Sequence, residues 1–175
     1  MSDRVPAGDN ATAMDTTSTK PGFGRVLIAV GDARQAGQVA EMARRVGASQ
    51  VRVLHLNLRE VMHGRRFPME TDDEAAYVVE AAVFELRMAG IGASGVVGHA
   101  LLGKAAEAIV ADATAWGADL IVVGAPHRGE VATRLFGSLS LSLLQRAQCP
   151  VLIAPPAAGE YEAPVPEEQY AGVRS

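Results

Sequence analysis

Chemistry in this chain could reside first in a polar stretch that carries Gly124, Gly129, Gly137 and Ser138. Glycines without a Cβ let backbone amides close on phosphate oxygens. A Gly-Ser pair opening a helix adds a hydroxyl and the positive end of the helix dipole. The same residues also serve as turn glycines followed by an ordinary N-cap, and the sequence leaves both readings open. Gly124 and Gly129 have the spacing of a phosphate-binding loop, but Glu130 stands where its lysine would be.

Other reactive types are scattered. Cys149 precedes Pro150 and an apolar run, so it reads as a small buried hydrophobe, and no base or electropositive setting suits it to catalysis. His55, His63, His99 and His127 show no ligand spacing, so no metal site is expected. Arg59, His63, Arg65 and Arg66 form a basic run that reads as a solvated loop, with a lid over bound phosphates as the sharper reading. Lys104 lies near the start of a helix, where a cation gains nothing from the dipole and could mark an anion site. No catalytic residue is assigned, and the chain is expected not to be an enzyme.

The elements that must position these residues alternate regularly. Apolar, β-branched runs at 25–30, 50–56, 94–101, 119–125 and 150–155 suit strands buried on both faces of a parallel sheet. Helical patterns fall between them: from Ala36 to a stop at Gly47, from a capping box at Thr71 and Glu74 to Gly90, and from Gly103 to Gly117. Residues 139–147 are ambiguous, because Leu139, Leu141 and Leu143 alternate with serines as a strand would. The i,i+4 pair Leu139 and Leu143, with Leu144 and Ala147 beside it, predicts a helix, as does the crossover that a parallel strand at 151–154 requires. The result is an α/β fold, Rossmann-like or flavodoxin-like, with helices on both faces of a five-stranded parallel sheet. Ligands bind such sheets at the carboxyl ends of the strands. The loops after Val30, Leu56 and Gly124 are therefore the ones to examine.

At 175 residues the chain fits one domain, assigned to 24–156 between polar, Pro- and Gly-broken tails at 1–23 and 157–175 that read as disordered, the second acidic. A net charge of −4 argues against non-specific nucleic-acid binding. There is no signal-peptide pattern and no stretch long enough to span a bilayer, so a cytoplasmic protein with no membrane partner is expected.

The ordered set of Gly124, Gly137-Ser138, a helix and then Cys149-Pro150-Val151, with RVLIAV opening the chain and His55 ending the second strand, resembles the universal stress protein family over about residues 24–155. The resemblance implies strand order 3-2-1-4-5, a stress-response role and dimers paired through the last strand. Here that strand is Val151, Leu152, Ile153 and Ala154, and unknown regulatory proteins are the further partners. It also implies an ATP site, for which the candidates are Ala29, Val30, Gly31, Asp32, Leu56, Gly124, His127, Gly129, Gly137, Ser138, Leu139 and Ser140. Two of these depart from the family pattern. His127 stands where the loop's second glycine belongs, and Gly31-Asp32 inverts the usual Asp-Gly order that supplies a carboxylate to the ribose. The expectation is a dimeric regulatory module with a degenerate adenine-nucleotide site. The alternatives are a competent ATP-binding switch with slow hydrolysis and an adenylate-handling enzyme.

Overall fold

The computed structural model describes residues 22–124 and 139–154. Strand β1 (Arg25–Val30) is followed by a short 3-10 turn (Ala33–Gln35) and helix α1 (Ala36–Arg45). Then come β2 (Gln50–Met62), β3 (Arg65–Pro68), α2 (Asp72–Met88), β4 (Gly92–Leu101), α3 (Ala105–Trp116) and β5 (Leu120–Gly124). Residues 139–146 are helical (α4), and β6 (Val151–Ala154) ends the described chain. Residues 1–21 and 157–175 of the expected tails, and Gly129 and Gly137 of the loop, lie outside the described residues.

Five strands pair in parallel in the order β4-β2-β1-β5-β6, which is the expected 3-2-1-4-5 order. The sheet has one strand more than expected. β2 runs well past the end of its apolar run and turns at His63 and Gly64, both with positive φ, to return as antiparallel β3. The basic segment 59–66 is therefore an ordered β-hairpin and not a loop. The Met69 amide donates to the Leu58 carbonyl, while the next carbonyl, that of Arg59, accepts from Leu102 after β4. Successive carbonyls point to opposite sides of a strand, so the hairpin's return lies on the β1 side of β2, above the end of β1.

Alternation along the buried strands divides the core in two. Val26, Ile28, Val51, Val53 and Val122 face α1 and α2. Leu27, Leu54, Ile121 and Val123 face α3 and Leu143. The ambiguity at 139–147 resolves as a helix. Leu143 is fully buried with Leu139 and Ala147 packed on the same cluster, whereas Leu141 and Leu144 are exposed. A strand would have put Leu139, Leu141 and Leu143 on one face. β4 reads weakly because it carries glycines at close approaches: a Cβ on Gly95 would collide with Val79 of α2, and one on Gly98 would crowd Leu56.

Candidate functional site

β1 and β5 end together, beside a β2 that runs on past them, at the point where the strand order reverses, and a cleft of about 540 Å³ opens there. That is within the roughly 300–1,000 Å³ of small-molecule sites. One side is aliphatic. Leu54, Leu56 and Leu58 of β2 face Ala106 and Ile109 of α3, and Met69 and Leu102 reach in from the hairpin and the β4–α3 turn. β2 supplies these leucines at every second residue, so one face of one strand lines the wall.

The other side is polar and filled. Gln35, at the end of the 3-10 turn, is buried, and its Oε1 accepts from the Gly31 amide at 2.7 Å. Its amide group lies against the end of β5, where a Cβ on Gly124 would come within 2.9 Å of Gln35 Nε2. Gly124 thus makes room for a protein side chain. Asp32 caps the 3-10 turn, accepting from the Arg34 amide at 2.8 Å and pairing with the Arg34 guanidinium at 3.0 Å.

The floor carries a buried pair. His55 Nδ1 lies 2.9 Å from the Val30 carbonyl, and Nε2 lies 2.6 Å from Glu70 Oε1. A carbonyl only accepts, so Nδ1 carries a proton. The contact at Nε2 fastens Glu70, in the hairpin's return, to β2, helped by Asn57, whose Nδ2 donates to Asp72 Oδ1 at 3.0 Å. The Thr71–Glu74 capping box starts α2 at the same place, with the Thr71 amide donating to Glu74 at 2.8 Å.

Of the residues singled out from sequence, Ala29, Val30, Gly31, Leu56, Gly124 and Leu139 line the cleft. Asp32 does not. Ser140 is buried off its lining, and Ser142, one half-turn further on in α4, is there instead. His127, Gly129, Gly137 and Ser138 lie outside the described residues. Gln35, Met69, Glu70 and Ser142 were missed. A polar Gln at the start of the amphipathic run of α1, and a Glu just before a capping box, are the signals that could have found two of them. Lys104 is no free cation: its ammonium sits 2.8 Å from Glu107 and holds that carboxyl below the usual carboxylate range. No Lys or Arg occurs among the described residues lining the cleft. Burial, together with the nearby Asp119 carboxylate, pushes the Cys149 thiol up, as suits a packed and unreactive side chain. Among the described residues no cluster could hold a metal ion, and no helix is long and apolar enough to cross a membrane.

A doubly wound sheet with a ligand-sized cleft at its switch point defines a class of α/β fold that binds its ligands at the carboxyl ends of the strands. The family model for the universal stress protein family matches residues 22–155, and the chain belongs to that family. A universal stress protein from Archaeoglobus fulgidus is 26% identical, with 75% of this chain and 98% of that chain covered and a TM-score of 0.54. A structure of the universal stress protein from the same organism in complex with dAMP is 27% identical over 75% and 97% of the two chains, with a TM-score of 0.52. UspA from Lactobacillus plantarum shares the fold at 20% identity, covering 76% and 98%, with a TM-score of 0.55. No curated protein sequence matches the chain.

Proposed function

We propose that the protein is a dimeric regulatory module whose adenine-nucleotide site is degenerate. The observation that carries this reading is Gln35. Its side chain occupies the crevice between the ends of β1 and β5, holding the Gly31 amide and packing on Gly124. Those are the two positions at which the family pattern supplies a ribose carboxylate and a phosphate-cradling glycine. The absence of Lys and Arg from the described lining points the same way.

The competent-switch alternative draws on the open aliphatic side, whose size and apolar character suit a planar base, and on the dAMP complex of a relative. Thermal melting separates the two. A ligand present at a thousand times its Kd adds about 4 kcal/mol of stability, which at about 2–4 °C per kcal/mol raises Tm by many degrees in a chain of this size. The degenerate reading expects millimolar ATP to move Tm by no more than about 2 °C, and expects no nucleotide in the purified protein. A shift of many degrees would support the switch.

The dimer is assigned to β6. Among the described residues this strand pairs on one side only, and Leu152 and Ile153 are exposed, as are Leu141 and Leu144 of α4. An unpaired apolar edge is hazardous unless covered, and two-fold antiparallel pairing covers it. Leu152→Asp should convert dimer to monomer or aggregate in light scattering, and an unchanged dimer would refute this surface.

A further inference from the structure

Apart from Met69, which reaches into the cleft, the projecting part of the β2–β3 hairpin has no role in the site as described, and its surface is unusual. Every residue from Glu60 to Met69 is exposed, and Val61, Met62, Phe67 and Met69 are each 48% or more exposed. Three arginines, Arg59, Arg65 and Arg66, accompany these apolar groups against a single carboxylate, Glu60, in a chain whose net charge is −4. Among the described residues no carboxylate pairs with any of the three, although Arg44, Arg45, Arg52 and Lys104 all have partners. A projecting, apolar and basic ribbon of this kind is a surface waiting for an acidic, apolar-bearing segment.

The chain itself carries one. The twenty-one residues after Ala154 hold Glu160, Glu162, Glu167 and Glu168, interleaved with Tyr161, Val165 and Tyr170, and Arg174 is their only cation. They start from the right place. β6 runs parallel to β5, so Ala154 sits at the carboxyl edge of the sheet, the edge from which the hairpin projects. From β6 to β2 is three strand spacings, about 14 Å at ~4.8 Å each. Six residues of extended chain span roughly 20 Å, so Glu160 and all that follows can reach the hairpin.

We infer that the hairpin is the docking surface for the chain's own acidic C-terminal segment, residues 155–175. Its glutamates pair with Arg65 and Arg66, and its tyrosines cover Phe67 and Met69. This goes beyond the degenerate-site reading and does not rest on it, since the docking holds whether or not nucleotide binds beneath.

A Glu-specific protease tests the inference on the full chain, with cuts after Glu160, Glu162, Glu167 and Glu168 followed by mass spectrometry. Arg65→Ser/Arg66→Ser should speed tail cleavage about two- to thirtyfold, the range for losing two surface ion pairs of roughly 0.2–1 kcal/mol each. Phe67→Ser should speed it as well. The matched control Arg44→Ser/Arg45→Ser, on α1, should leave the rate unchanged. Because all these positions are exposed, the core stays intact, and added salt offers a test without mutation: it should erase most of the difference between the wild type and the Arg65/Arg66 variant. Equal cleavage of wild type and hairpin variants at low salt would overturn the inference. So would protection that grows with protein concentration, because the tail would then dock on a second molecule.

Discussion

The two sides of the cleft share one sheet edge and hold opposite chemistry. On the β1–β5 side, Gln35 fills the crevice, satisfies the Gly31 amide and uses the space that Gly124 leaves. On the β2–β4 side, Leu54, Leu56 and Leu58 face α3 across open space. A glycine of the nucleotide pattern can therefore persist while serving a different partner, so its presence alone says little about phosphate. The aliphatic side stays open even where the side carrying Gly31 and Gly124 is occupied by Gln35.

Breaking the open side should cost most. Leu54 is 2% exposed and belongs to the core as well as to the cleft wall. Leu54→Ala should lower unfolding free energy by about 2–5 kcal/mol in denaturant titration, with Gln35 and its crevice undisturbed. On the closed side the effect is smaller and conditional. Gly124→Ala forces a methyl against Gln35 Nε2 and should cost about 1–3 kcal/mol. Combined with Gln35→Ala the penalty should largely vanish, since the two residues share one contact. Additive losses in that cycle would show that Gly124 serves something other than Gln35.

The hairpin's return, which joins the two sides, gives the smallest effect. Thr71→Ala should cost about 1 kcal/mol through the lost cap. Its penalty should also depend on pH. The Thr71 amide, and after it the hydroxyl, hold the Glu74 carboxyl below its usual range. A lowered folded value means that the box stabilises fully above the ordinary carboxylate range and less as pH falls through the lowered value. The gap between wild type and variant should accordingly narrow in acid, by thermal melts across pH 2–6.

Much of the architecture was legible because buried parallel strands and amphipathic helices leave strong periods. Even the leucines of 139–147 resolved correctly once Leu143 and Ala147 were weighed against Leu141. The hairpin was not legible. Beyond Leu58 both faces of β2 meet solvent, so neither apolar alternation nor a continuous apolar run marks the strand, and arginines dominate the return. The candidate site was half legible. Residues at strand ends follow from topology, and six of the sequence candidates line the cleft. Gln35 and Glu70 act through packing between elements apart in the sequence, which no local pattern encodes. Ser142 replaces Ser140 because helical phase, and not nearness in sequence, decides which serine faces the cleft.

The central claim is that Gln35 and the missing carboxylate at position 31 keep nucleotide out. A Cβ at Gly31 meets only Gln35 Oε1, at 3.6 Å, so a side chain can start there without a clash. Calorimetric titration with ATP of wild type, Gln35→Ala, Gly31→Asp and the double variant is the direct test. A hydrogen bond to a charged group contributes roughly 1.5–3 kcal/mol, so the double variant should bind about ten- to a hundredfold more tightly than wild type. Micromolar binding by the wild-type chain, unchanged in all three variants, would contradict the account.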